Sequence, residues 1–245
     1  MPSHSGEAAA RIERHEGWGA IILSRPERRN ALTGPMVTTM REGLAELLAH
    51  GARVVVLRGE GGAFCSGLDL QAFSTRPEPP WLESWAEDWA GLHRDLYDCP
   101  ATIIGALERY AINAGSSLAL ACDLIVAGDS SYLLVGEASV GMNAPMNVAW
   151  LRLRTSEATA AQLALAAARV SAADLFRLGL AYQVAPDTQV IAEAEALAAR
   201  LAGYQGAGLA AIKAAMRRPL APGVDVFDTV REGGFRSAAP SRVAT

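Results

Sequence analysis

Three short apolar runs, RVVVLRG (53–59), ATIIGAL (101–107) and LIVAG (124–128), constrain the fold of this chain more than any other feature. Apolar residues fill nearly every position rather than alternate ones, the pattern of strands covered on both faces. Segments of helical period lie between them. After the first strands, Met36, Met40, Leu44, Leu47 and Leu48 recur at helical spacing, Thr33 stands at the cap position, Pro35 suits the first turn and Gly51 stops the helix. SSLALACD supplies a second helix, RIERHEGWGAIILSRP reads as two strands joined near Gly17, and SYLLV reads as another strand. This alternation predicts an α/β protein with parallel strands. Beyond Thr155 the period turns helical through TSEATAAQLALAAARV, SAADLFRLG, DTQVIAEAEALAARLAGY and GLAAIKAAMRR. The organisation expected is a core over 1–185, with a loose tail over 1–9, followed by a C-terminal helical region over 186–245.

Composition excludes several classes of function. With 22 Lys+Arg against 26 Asp+Glu, the net charge is −4 and no basic run tracks a nucleic-acid backbone or an anionic membrane surface. No run approaches the roughly 18 apolar residues of a membrane span, and the first residues lack the apolar core of a signal peptide. Cys65, Cys99 and Cys122 are odd in number and sit among apolar neighbours, as buried thiols of a reducing cytoplasm do. A cytoplasmic protein is expected. His4, His15, His50 and His93 are scattered, so no metal site is expected.

Two motifs fail on inspection. The glycine-rich RGEGGAFCSG has no lysine for a phosphate loop, and Phe64 stands where a dinucleotide fingerprint needs its third glycine. Ser116 and Ser117 lack the Gly-x-Ser-x-Gly elbow and have no histidine near them in sequence, which favours a capping role over a nucleophile. STRPEPP (74–80) reads as an irregular loop, and the helix after it places Trp81, Trp85, Trp89, Leu92 and Leu96 on one face. That stripe packs on the core, and part of it is a candidate wall of an apolar pocket.

AFCSGLDL and AINAGSSLALACD are both strand-to-turn transitions with glycine, and unpaired N–H groups at such turns attract negative charge. Two of them converging make an oxyanion hole. In this order, LSRPERRNAL, GGAFCSGLDL, YAINAGSSLALACDLIVAGDSSYLLVGEASVGM and SAADLFRLGLAYQVAP resemble the signature stretches of the enoyl-CoA hydratase/isomerase family, the crotonases, over about Arg11–Arg218. The resemblance implies a crotonase-like spiral of ββα units with a C-terminal helical trimerisation region, assembly as a homotrimer or dimer of trimers, and acyl-CoA thioesters as substrates. It implies no cofactor beyond the coenzyme A carried by the substrate.

Position by position, the resemblance makes Leu68 and Ala114 the backbone N–H donors of the oxyanion hole. It makes Glu137 the acid/base and puts Ser117 where hydratases of the family carry a second glutamate. Arg25, Arg28 and Arg29 match the turn that contacts CoA. MNAPMNVAW departs from the family's glycine-rich run and brings Met142, Asn143 and Met146 toward the acyl group, while Glu108-Arg109 introduces charges near the pocket. Asp69 and Asp123 are read as turn or cap residues. Hydration asks two groups to handle water and proton, whereas shifting a double bond asks one base to take a proton and return it. A single glutamate therefore favours an enoyl-CoA isomerase. A hydratase-like, hydrolytic or decarboxylating enzyme and a non-catalytic acyl-CoA-binding accessory subunit stay open as alternatives.

Overall fold

The computed structural model describes residues 9–205 and 207–217. β1 (Ala10–His15) and β2 (Trp18–Leu23) form an antiparallel hairpin, with Gly17 at φ +74 in its turn. α1 (Gly34–Ala49) and β3 (Val54–Gly59) follow, then α2 (Leu70–Ser74) and α3 (Trp85–Asp98). The next turns of the chain are β4 (Thr102–Leu107), β5 (Tyr110–Ile112) and α4 (Ala114–Ala121), then β6 (Leu124–Gly128), β7 (Tyr132–Leu134), α5 (Pro145–Arg154) and α6 (Glu157–Leu165). β8 (Val170–Ser171), α7 (Ala172–Arg177), β9 (Gln183–Ala185), α8 (Val190–Ala202) and α9 (Gly208–Met216) complete the described chain.

The large sheet has the order β1-β2-β3-β4-β6-β9 and is parallel from β2 onward; the small sheet has the order β5-β7-β8. Successive turns thus lay one strand in the large sheet and a short one in the small sheet before entering a helix. This is the ββα spiral that the resemblance implies. After β3 the short strand shrinks to single bridges, Cys65 to Ala111 and Leu32 to Leu68, which bring the turn after β3 against the turn after β4.

The apolar runs are buried on both faces, as their composition requires. Val55, Leu57, Ile103 and Ile125 point into the main core, while Val54, Val56, Ile104 and Val126 meet Val190, Ala194, Leu197 and Ala198 of α8. The helical region after 185 therefore begins as a cover for the sheet's second face. Truncating Leu197 to Ala there costs about 2–5 kcal/mol. α9 is pinned by Lys213, the sole lysine, whose buried Nζ donates to Ala101 O at 2.6 Å and pairs with Asp123 at 2.7 Å. Asp123 also accepts from the Ile103 amide and Arg217, so it is an anchor between β4, β6 and the C-terminal helix.

Some expectations are corrected. Thr33 occupies the cap position of α1 but its side chain makes no cap bond. Trp81 lies in a separate 3-10 turn, Pro80–Leu82, because the prolines delay the start of α3 to Trp85. The helix read through Val170 stops at Leu165, and Ala167 takes φ +49 on the way to β8. The trimerisation role expected of the C-terminal region falls partly on 218–245, outside the described residues.

Candidate active site

The turn after β3 is held by buried polar side chains. Asn30, at φ +55 and fully buried, accepts from the Arg25 amide and donates to the carbonyls of Glu60 and Ala63. A Cβ on Gly59 would lie 1.9 Å from Ala63 O, so only glycine allows the loop to fold back this tightly. Asp69 caps α2 through the Ala72 amide and takes Arg25 and Arg28 at 2.9 Å each. Burial pushes the Asp69 carboxyl up, but the bonds from Arg28, Arg25 and Ala72 outweigh it and bring it down to about 2. Gly67, at φ +100, then turns the chain so that its Cα faces Ile112 and Asn113.

The turn after β4 carries small residues for a steric reason. A Cβ on Gly115 would lie 2.6 Å from Cys65 O, so the start of α4 rests directly on the neighbouring turn. Asn113 precedes it at φ +51 and ψ −115, a conformation costing about 1–3 kcal/mol in a non-glycine residue. Its Oδ1 accepts from the Gly136 amide at 2.9 Å, which fixes the segment carrying Glu137. Among the described residues, the amides of Leu68 and Ala114 donate to no protein acceptor. Both residues line a cavity of about 230 Å³.

Glu137 opens a 3-10 turn that lines the same cavity and is 8% exposed. Its Oε1 accepts from Asn147 Nδ2 at 2.9 Å, and its Oε2 is buried without a partner. Burial pushes the carboxyl above its ordinary value, against the smaller opposing effects of a backbone hydrogen bond and of Asn147. No other carboxylate lines this cavity among the described residues. Trp85 and Trp89 form an apolar wall, with ring centroids 5.5 Å apart and planes 10° from parallel.

The stripe on α3 thus serves both the core and the pocket. The structure brings Leu68, Ala114, Ser117, Glu137, Met142 and Asn143 onto this one cavity, with Met146 beside them. Asn147 and Asn30 were not singled out by sequence; the polar Asn147 in an otherwise apolar stretch was the available signal.

Ser117 has a histidine beside it after all. His93 Nε2 lies 3.3 Å from Ser117 Oγ, although the two are 24 positions apart. The pair is nevertheless not a nucleophile with its base. Burial pushes His93 down to about 3, so the ring is neutral near pH 7. Trp150 Nε1, which can only donate, bonds His93 Nδ1 at 2.8 Å. The proton of the neutral ring is therefore on Nε2, pointing at Ser117, while Ser117 Oγ donates to Ala114 O at 2.8 Å. The serine hydrogen points back into its own helix.

A second, polar cleft shares Ser66, Leu68 and Leu70 with the cavity and continues to Glu27, Arg28, Arg29 and Gln71. Arg28 and Arg29, expected to contact CoA, both line this cleft. Arg25 does not: it lines neither space, and it is an internal brace to Ala31 O and Asp69. Glu108 and Arg109 also lie off the cavity. Glu108 faces the field of Arg58, and Arg109 stands 5.8 Å from the centre of the Tyr110 ring. All three cysteines are buried free thiols, with burial pushing Cys65 and Cys122 up to about 12. No group of three or more His, Cys, Asp or Glu side chains able to hold a metal exists among the described residues. No helix among them is long and apolar enough to cross a membrane.

A ββα spiral that turns two free amides and one buried carboxylate toward an apolar cavity defines the class of fold and site. The profile of the enoyl-CoA hydratase/isomerase family matches residues 13–228. A probable enoyl-CoA hydratase of Rhodobacter capsulatus is 34% identical over 212 residues, covering 86% of this chain and 81% of the relative. The 1,2-epoxyphenylacetyl-CoA isomerase of Escherichia coli K12 is 31% identical over 206 residues, 82% of this chain and 79% of that protein. Among solved structures, a Thermobifida fusca protein in complex with CoA superposes with a TM-score of 0.75 at 31% identity, covering 92% of each chain. An enoyl-CoA hydratase of Polaromonas superposes at 0.76 with 31% identity, over 83% of this chain and 81% of that one. The chain belongs to the enoyl-CoA hydratase/isomerase family.

Proposed function

We propose that the protein is an acyl-CoA enzyme that shifts a double bond by proton transfer, with Glu137 as the base and then the acid. The acyl group enters the cavity while the CoA moiety follows the polar cleft, its phosphates met by Arg28 and Arg29. The thioester oxygen accepts from the amides of Leu68 and Ala114, which stabilise the negative charge it gains when Glu137 removes a proton from the acyl carbon chain. Preoriented backbone donors do this without reorganising, which is why their side chains can differ from the family's usual ones. The CoA complex of the Thermobifida fusca relative supports the ligand class.

One observation carries the choice of reaction: Glu137 is the single carboxylate lining the cavity among the described residues, with Ser117 where hydratases carry another. Ser117 does not replace it, because its proton is held by Ala114 O and the neighbouring His93 is neutral and loaded on the facing nitrogen. A water there would have no second base.

The relatives are named as a hydratase and as an isomerase of an epoxyacyl-CoA, so the test must separate hydration from isomerisation. Purified protein is incubated with 3-enoyl-CoA and 2-enoyl-CoA panels in water enriched in oxygen-18. The expected outcome is conversion of 3-enoyl to 2-enoyl thioesters without label, lost by about 10²- to 10⁴-fold in Glu137→Gln. Labelled hydroxyacyl product would assign hydration instead, and full turnover by Glu137→Gln would remove the residue from the mechanism. A homotrimer or dimer of trimers is expected of the same preparation in sedimentation.

A further inference from the structure

Asn147 projects from the first turns of α5 and is only 2% exposed. Its Nδ2 donates to Glu137 Oε1 at 2.9 Å and to the carbonyl of Asn113 at 3.0 Å. Both partners are oxygen acceptors, so the amide cannot be turned round, and Oδ1 remains an acceptor with its orientation fixed. That Oδ1 is buried without a partner, and so is Oε2 of Glu137. Two adjacent groups, already joined by one hydrogen bond, thus each keep one unsatisfied acceptor. Buried polar atoms rarely stay unpaired, and a proton on Glu137 Oε2 would turn that atom from an orphaned acceptor into a donor. An acid Oε2–H donates where a carboxylate oxygen cannot.

We propose that Asn147 is a positioning residue that keeps on Glu137 the proton this base takes from the substrate. Its N–H holds the carboxylate form at Oε1, and its Oδ1 receives the Oε2–H of the acid form. Asn113 ties the pair to the turn bearing Ala114, so base and oxyanion donor stay in register. The step balances without any co-reactant. A C–H bond of the acyl group breaks, its electron pair enters the enolate and an O–H bond forms on Oε2; the reverse transfer to the other carbon leaves Glu137 as it began. Burial of both side chains slows loss of that proton to water during the interval. The inference rests on the isomerase reading above.

The test is isomerisation of 3-hexenoyl-CoA in D2O, with deuterium in the product counted by mass spectrometry. Wild-type enzyme is expected to return most of the original hydrogen. In Asn147→Leu, similar in size but without the amide, incorporation is expected to approach one deuterium per product, with kcat lower by about 10- to 100-fold and KM little changed. Asn147→Gln, which retains both the amide donor and the acceptor on a longer arm, is expected to recover part of the retention. A merely structural role would lower activity without moving deuterium content. Full exchange by the active wild-type enzyme would overturn the inference even if neither variant folded, and so would retention in Asn147→Leu equal to wild type. Absence of turnover with every enoyl-CoA overturns the isomerase reading and this inference with it, whereas exchange by an active isomerase overturns this inference alone.

Discussion

The two turns that meet at the cavity do the same job with opposite chemistry. The turn after β3 is braced by charge, through Asp69 between Arg25 and Arg28. The turn after β4 is braced by neutral amides, Asn113 to the Gly136 amide and Asn147 to Asn113 O and Glu137. The difference follows from what each turn faces. The first borders the polar cleft, where positive charge suits an anionic ligand and solvent screens it. The second touches the base. A guanidinium in place of Asn147 would favour the carboxylate form of Glu137 and weaken it as a proton acceptor, whereas an amide orients it and leaves burial to raise its basicity. Strain is tolerated on the same side, at Asn113, where several partners hold one geometry.

Glu137→Gln breaks the neutral side most sharply. Besides the loss of about 10²- to 10⁴-fold in activity, the variant is expected to melt at a higher temperature than wild type near pH 7. The folded-state pKa of Glu137 is raised by burial, so its contribution to stability is fully present below the unfolded value and is lost as pH rises through the folded one. The difference in Tm between variant and wild type should therefore be small in acid and widen toward neutral pH. Equal melting curves across that range would mean that burying this carboxylate carries no stability cost.

The charged side has the opposite sign. Asp69 is held down to about 2 in the fold, so its stabilisation is present above its ordinary value of 3.8 and is lost as pH falls through about 2. Asp69→Ala is expected to cost about 2–3 kcal/mol near pH 7, since it removes charge-assisted bonds and the cap of α2, and to show a shallower acid transition than wild type. A urea titration at pH 7 and pH 3 checks both. At the neutral brace the expected effects are smaller. Asn113→Ala keeps the strained backbone and loses the Gly136 bond, whereas Asn113→Gly loses the bond and relieves the strain. Alanine should therefore be less stable than glycine by about 1–2 kcal/mol in the same titration.

How far the sequence reaches is set by the range of the interaction. The buried strands and long helices follow from local period, and the resemblance to the family singled out Leu68, Ala114 and Glu137, which line one cavity. β5, β8 and β9 were not legible as partners, because runs of two or three residues have no period and depend on pairing with distant strands. Asn30 and Asn147 were missed for a related reason: each acts by bonds to backbone 33 or 34 positions away, which no spacing rule announces. Arg25 turns to Asp69 rather than to either space, since a basic residue beside a ligand cleft looks the same in sequence whether it faces the ligand or a buried aspartate. The Ser117–His93 contact could only be seen in three dimensions.

That contact supplies the smallest expected effect. Ser117 is fully buried, receives the Nε2 hydrogen of a neutral His93 and donates its own to Ala114 O. It cannot gain a base from His93 without breaking the Trp150 bond that fixes the tautomer. Ser117→Ala removes one hydroxyl and leaves Ala114 O, already at the head of α4, short of one donor. The stability loss should be near 1 kcal/mol, and kcat/KM should stay within about 3-fold of wild type, with the same pH profile. A loss comparable to Glu137→Gln, or labelling of Ser117 by an acylating inhibitor, would show that the neutral side of the cavity holds a nucleophile, and the contrast between a charged brace and an inert one would fail at this residue.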